Sequence, residues 1–507
     1  MNKIKFIIFS TLLCAATACT QYYEEYNTNP TQPTSVPAVN LLSTMFEGYG
    51  QPQQNNCQFM NCMWACYSGH VAAVANWNLG TNIYAYYNPS DNHNSSTFSI
   101  LFGQVYPSYY YIQEQTNEQG AVYAIALLSR VYNMHQLASL QGPIPYTKVE
   151  NGQLEAGYDD EETAWHAMFE DLDKAIQILS QVSVNNDLAS IDQFYGGDCT
   201  KWLRFANTLK LRMAIRISNA PGMADFARNA AEEAVTSGVM TSTGHSCWNT
   251  TNGKSGANGF AIQWMTEENK ANACLVSYMN GYNDPRRPAY FQTASTGGYV
   301  GARFGSTQIP TTSTYNGVSK LKISDSQQNP MPVMYAAEAA FLMAEGALKG
   351  WNMGDTPESL YKKGIELSFE EFGISGVENY LNSTSLPGSH TDRILPADSY
   401  TNKSTVCVKW NNGDSDDVKL EKILTQKWIA LYLDPLNGWS DYRRTGYPQL
   451  FPSTMSSNAN VSTTRGARRL RFPLSEYNTN TANVHEAVLM IGGQDNEGVD
   501  LWWALKQ

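Results

Sequence analysis

Three things are scarce in this 507-residue chain: charge, clustered basic groups and any regular pattern of cysteines. Charged residues make up 16% of it, against 42% hydrophobic and 12% aromatic, so the surface must be covered mostly by uncharged polar side chains. With that much apolar material a core can form, which excludes disorder of the whole chain. The 34 Lys and Arg are outnumbered by 46 Asp and Glu, giving a net charge of −12, and no Lys/Arg-rich stretch occurs. Nucleic acid is therefore not an expected partner, because phosphate affinity needs clustered basic groups. Cysteines beyond the first twenty residues are irregularly spaced and odd in number, which is no disulfide framework. Among them, Cys57, Cys62 and Cys66 lack a matching Cys or His pair in zinc spacing. Cys62 and Cys66 stand one helical turn apart in an apolar stretch, so buried thiols are expected there rather than a metal.

Catalytic signatures are missing as well. There is no nucleophile elbow, HExxH, phosphate-binding loop or dinucleotide fingerprint, and the glycines of GYVGARFG from Gly298 read as a loop. A glycosidase needs two carboxylates facing each other across a sugar. Asp171 and Asp173 fall on the polar side of a helical stretch and read as a solvated face. No cofactor is expected. A loop calcium stays open, since Asp and Asn are scattered through the loops without EF-hand spacing.

One long apolar run exists, and it sits at the start. Residues 1–18 pair basic Lys3 and Lys5 with FIIFSTLLCAATA and end in small residues before Cys19. The run is too short for a membrane span of roughly 20 residues and has the form of a secretory signal. Cleavage before Cys19 would free a thiol for acylation, as in bacterial lipoproteins. Ala16 stands where such signals usually carry a larger aliphatic residue, and a plain cut after Ala18 is the alternative. Acyl chains, not electrostatics, would then hold the protein on a membrane. Residues 19–37, rich in Asn, Thr, Pro and Gln, read as an extended tether.

Helical periodicity dominates from Ala38, and residues 38–507 read as a single domain. Residues 120–140 are apolar on nearly every side and stop at the breaker string GPIPY. Residues 159–180 open on four acids, suited to the positive end of a helix, and place Trp165, Met168, Phe169, Leu172, Ile176 and Leu179 on one stripe. Residues 199–218, 222–238, 331–350 and 356–373 continue the pattern. Pairs of amphipathic helices that cannot bury their faces alone are the unit of tetratricopeptide-type packing, so a mainly α fold of helical hairpins is expected. Stretches near 240–330, 380–415 and 452–500 lack periodicity and read as loops and short strands.

Those irregular stretches concentrate Tyr, Trp and Asn: ANWNLGTNIYAYYNP at 75–89, SCWNTTNGKSGANGF at 246–260 and YMNGYNDP at 278–285. Sugars lay an apolar ring face on an aromatic ring while amides bond their hydroxyls, so this composition suits a glycan. Packing of loops onto helices is the competing use of the same residues.

The strings EYNTNPTQPTSVPA, LQGPIPYTK, KWLRFANTLKLRMAIRI, NDPRRPAYF, VMYAAEAAFLMAEGALKGW, EKILTQKWIALYLDPLNGWSDYRRTGYP, RRLRFPLSEYNTN and DNEGVDLWW follow one another through the mature chain. As a series they resemble the SusD/RagB family of Bacteroidetes outer-membrane lipoproteins, in its SusD-like branch. The resemblance implies a tetratricopeptide-like helical domain, lipid-anchored through Cys19 on the cell surface. It also implies a partner, a SusC-like TonB-dependent barrel in the outer membrane, over which the protein acts as a lid capturing oligo- or polysaccharide for import. A peptide-capturing lid and a secreted polysaccharide hydrolase are the alternatives. Asp284, Arg286, Trp428, Trp439, Arg443 and Arg444 match family signatures and look structural, the arginines being able to bridge carboxylates or loop carbonyls. Ligand residues occupy no fixed motif. The habit of relatives, which bind on loops after the early helices and in the irregular middle, points to Asn76, Trp77, Tyr84, Tyr86, Tyr278 and Tyr282.

Overall fold

The computed structural model describes residues 36–49, 63–74, 84–103, 105–250, 269–306, 317–322, 330–393 and 395–504. Its principal helices are α1 (Ala38–Met45), α2 (Tyr106–Thr116), α3 (Gly120–Gln141), α4 (Glu161–Leu179), α5 (Cys199–Ile217), α6 (Ala224–Ser237), α7 (Ala273–Gly281), α8 (Ala336–Leu348), α9 (Pro357–Glu371), α10 (Asp416–Ala430), α11 (Pro435–Thr445), α12 (Leu474–Thr479) and α13 (Thr481–Met490). Among the described residues four short strands, β1 (Val71–Ala73), β2 (Cys247–Asn249), β3 (Asn269–Ala271) and β4 (Met331–Met334), make two antiparallel pairs, β1 with β3 and β2 with β4. No helix among the described residues is long and apolar enough to cross a membrane.

The helices pack as hairpins, α3 on α4, α5 on α6 and α8 on α9, as the pairing of incomplete apolar faces requires. Helix α4 shows how the sequence sets this. Asp160 caps it, its carboxylate accepting from the Thr163 amide at 2.8 Å, and Glu161 and Glu162 follow at the positive end. Its buried stripe is Trp165, Met168, Phe169, Leu172, Ala175 and Leu179; Ile176 is only partly buried, and the smaller Ala175 takes the inner place. Helix α3 is buried almost all round, including Asn133, His135 and Gln136, so it is a central element. It stops at Gly142, whose φ of 94° is open to glycine and strained for any other residue. One apolar core runs from Leu42 to Ala504.

Three expectations are corrected. The stretch from 331 is not helical at its start: Met331–Met334 is strand, paired with Cys247–Asn249, and the helix begins at Ala336. Pro332, which lacks an amide hydrogen, suits a short strand and not a helix interior. Within the irregular middle, α7 is a nine-residue helix capped by Asn272, whose side chain accepts from the Cys274 amide at 2.8 Å. The stretch 452–500 likewise contains α12 and α13.

Candidate functional site

The early and middle irregular segments meet on one small frame. Antiparallel pairing sets Val71 opposite Ala271 and Ala73 opposite Asn269, so the chain that continues past Val74 and the chain that arrives at Asn269 share one end of the pair. Lys270 bridges Lys320, and Asn272 bridges Ala302, which brings a third segment alongside. The Asn272 side-chain amide donates to the Val71 carbonyl at 2.9 Å, tying strand, helix cap and loop together. Gly301 lies so close that a Cβ there would meet the Ala273 backbone at 2.4 Å, so only glycine fits this approach. Ala72, Val74, Ala302 and Val318 form a small apolar cluster under the frame.

Asn76 and Trp77 lie outside the described residues, as does the side chain of Tyr84. Tyr84 opens a single 3-10 turn that ends at Tyr86. That turn is pinned: the Ser457 amide donates to the Tyr86 carbonyl at 3.0 Å, and the Asn458 amide group to the Tyr87 carbonyl at 3.1 Å. Tyr86 is buried, and its hydroxyl donates to the Ser306 carbonyl at 3.3 Å. Burial pushes that phenol's pKa up. Tyr87 and Phe304 meet edge to face at 5.3 Å, and Tyr67 lies 5.1 Å from Trp439. The crevice they border with Arg303 and Arg465 has about 20 Å³ of space, room for a water and not for a sugar ring.

Tyr278 and Tyr282 are placed differently from the expectation. Tyr278 is 0% exposed and Tyr282 2%, inside and at the end of α7. The Tyr278 hydroxyl donates to the Gln449 carbonyl at 3.0 Å and that of Tyr282 to the Val406 carbonyl at 2.8 Å, while Trp428 stands 5.5 Å from the Tyr278 ring. Their faces and hydroxyls are spent on packing the 406 and 449 segments onto α7, so neither presents a surface to a ligand in this structure.

The residues expected to be structural are so. Arg286 and Asp284 pair with both side chains buried; Arg444 holds Glu345 through two bonds of 2.6 and 2.8 Å; Arg443 donates to the Arg468 carbonyl at 3.0 Å and lies 3.8 Å over the Trp439 ring. The Trp428 indole donates to the Ser68 carbonyl at 2.7 Å. The reading of a solvated face holds for Asp173, which is exposed and pairs with Lys210 at 2.6 Å, and is corrected for Asp171, which is half-buried, pairs with Arg130 at 3.0 Å and accepts from the Tyr146 hydroxyl at 2.6 Å. Among the described residues no group of three His, Cys, Asp or Glu side chains could hold a metal. Cys66 is buried there as a thiol, its pKa pushed up by burial, while Cys57 and Cys62 lie outside the described residues.

Helical hairpins carrying loop segments on a short strand frame define a tetratricopeptide-like scaffold protein. The chain belongs to the SusD-like family: the model for "Susd and RagB outer membrane lipoprotein" matches residues 34–504. It is 57% identical to a SusD-like protein from Bacteroides thetaiotaomicron, covering 93% of this chain and 99% of that one at a TM-score of 0.89. A SusD homologue from Bacteroides ovatus is 35% identical over 92% of this chain and 99% of its own, with a TM-score of 0.83. A chitin-binding SusD homologue from Flavobacterium johnsoniae is 32% identical over 93% and 99%, with a TM-score of 0.85. No curated protein matches the sequence significantly.

Proposed function

We propose that this is a surface-exposed glycan-binding lipoprotein, anchored through Cys19, that captures oligo- or polysaccharide and passes it to a SusC-like TonB-dependent outer-membrane transporter without turning it over. The observation that carries this reading is the full-length similarity to a chitin-binding homologue within a family of outer membrane lipoproteins. The frame supports it, because the Asn- and aromatic-rich stretch 75–89 follows directly on β1, at the end of the pair where Asn269 stands opposite Ala73. Asn76, Trp77 and Tyr84 are the proposed ligand residues; an aromatic platform with a neighbouring amide is the chemistry a sugar ring needs.

The test is a glycan and peptide array, followed by titration and product analysis, on mature protein from Thr20 onward. Binding to one polysaccharide class without products supports capture. Peptide binding alone moves the function to oligopeptide uptake, and product formation makes the protein a hydrolase.

A further inference from the structure

Helix α2 and the segment 145–156 face each other across a cleft of about 300 Å³, the lower end of the ~300–1,000 Å³ usual for small-ligand sites. One wall is aromatic, with Phe102 4.9 Å from Tyr106 and Tyr106 6.0 Å from Tyr110. Pro145 and Val149 line the other. The Tyr106 hydroxyl donates to the Pro145 carbonyl at 3.2 Å, and the Tyr110 hydroxyl donates to the Val149 carbonyl. Both phenols thus spend their donors on the opposite wall and offer the cleft only ring. Leu154, 97% exposed, stands at the mouth as an apolar lip.

The charged groups lining the cleft, Glu150 and Glu476, are both carboxylates. Asn480 has already committed its amide group, donating to the Ala156 carbonyl at 2.9 Å and to Glu476 at 2.8 Å. The Tyr158 hydroxyl also donates to Glu476, at 3.0 Å, and both bonds fall on Oε2. Glu150 is exposed on its loop. Among the described residues no Lys or Arg lines the cleft. Two cations stand on adjoining segments, each paired: Arg130, whose guanidinium lies 5.2 Å from the Tyr106 ring centroid, with Asp171 and the Tyr146 carbonyl, and Lys148 with the Tyr158 carbonyl at 2.6 Å and with Asp159 at 3.7 Å. Each of those cations has its own carboxylate, so Glu150 and Glu476 leave the cleft with a net negative charge.

We propose that this cleft binds a small organic cation with an apolar body, an ammonium or guanidinium group on an aromatic or aliphatic frame. The Phe102 and Tyr110 rings attract the cation electrostatically, the Tyr106 ring being already faced by Arg130, while the two carboxylates fix its head and Leu154 covers its apolar part. The cleft shares no lining residue with the β1 and β3 frame, so the inference stands apart from glycan capture.

The test is calorimetric titration of the mature chain with 2-phenylethylamine and with its uncharged counterpart 2-phenylethanol. The amine is expected to bind saturably and at least tenfold more tightly than the alcohol. Glu150→Gln should weaken the amine severalfold and leave the alcohol unchanged, Tyr110→Ala should abolish both, and Trp77→Ala should affect neither. Glu150 is exposed, so its variant reports on charge selection even where loss of the Tyr110 ring unfolds the protein. Equal affinity for the two probes, no binding of the amine, or amine binding indifferent to Glu150→Gln would each overturn the proposal, whatever the glycan array returns.

Discussion

Arg286 closes a two-point clamp on Asp284, two residues back in the chain: Nε meets Oδ1 at 3.0 Å and Nη2 meets Oδ2 at 2.7 Å, with neither side chain exposed. The clamp gathers other segments. Arg286 also donates to Ser368 on α9 at 2.9 Å and to Gln426 on α10 at 3.0 Å, and the Tyr380 hydroxyl donates to Asp284 at 2.8 Å. Removing one partner of such a buried pair strands the other charge, at a cost of about 3–5 kcal/mol. Asp284→Ala should therefore lower the urea midpoint markedly. Replacing both residues by apolar ones of similar volume should recover much of the loss, and equal destabilisation by the single and double variants would refute the pairing argument.

Trp77→Ala and Tyr84→Ala are each expected to weaken the glycan identified on the array by tenfold or more, about 1.4 kcal/mol or above. Unchanged affinity in both variants, measured by titration, would remove these residues from the ligand set.

Tyr278→Phe should leave glycan affinity untouched and cost about 1 kcal/mol of stability through the lost bond to the Gln449 carbonyl. Tyr278→Ala should cost about 3–5 kcal/mol, the range of a large aromatic removed from a packed core. A change in affinity with stability intact would return Tyr278 to the ligand surface.

His70 gives a pH signature. Its Nε2 lies 2.9 Å from the Trp428 carbonyl, which can only accept, so Nε2 carries the proton and Nδ1 faces the Ser68 hydroxyl at 2.7 Å. Burial holds the pKa down to about 4. Between that value and an unfolded value near 6.5 the unfolded chain binds a proton that the folded chain refuses, so stability falls as pH drops through the window. The full effect is about 3 kcal/mol. Asp434, raised to about 6 by burial, titrates in the opposite sense over much of the same range. The informative quantity is therefore the difference between wild type and His70→Gln: the gap between their denaturation midpoints should narrow from pH 7 to pH 4. A constant gap would contradict the assignment.

Cys19→Ser should move the protein from the outer-membrane fraction to the soluble one when expressed with its own signal. Retention in the membrane would exclude acylation at this residue as the anchor.

Legibility in the sequence followed element length. Residues 161–179 could be read because a 3.6-residue period had room to repeat and an Asp cap marked its start. Helix α7 could not: nine residues, apolar nearly all round, carry no period, and the Asn-Gly-Tyr-Asn-Asp-Pro string at their end signals a turn. The same shortness hid the true place of Tyr278 and Tyr282, whose neighbours in sequence are turn formers while their neighbours in space are Trp428 and the 406 and 449 carbonyls. Asp171 was misread because its partner, Arg130, lies on another helix and no local spacing announces it. The arginine and tryptophan signatures were legible as structural because family strings surround them, though their bonds, such as Arg443 to a carbonyl 25 residues away, were not.

The first described residues also decide how the body would respond to a pull from the N-terminal side. The Val36 carbonyl is held by the Tyr111 hydroxyl at 3.3 Å, and α1 begins two residues later, with Leu42 and Met45 buried and the Met45 carbonyl accepting from Asn133 on α3 at 3.0 Å. Just beyond, Asn249 donates to the Tyr49 carbonyl at 2.7 Å. Force arriving through residues 19–35 would first load one exposed hydroxyl bond and then shear α1 against the central helix. It would not peel a peripheral strand. If the proposed anchor at Cys19 and polymer capture hold, the body would hang from its core, and drag on a bound polymer would be borne by the most deeply packed part of the molecule.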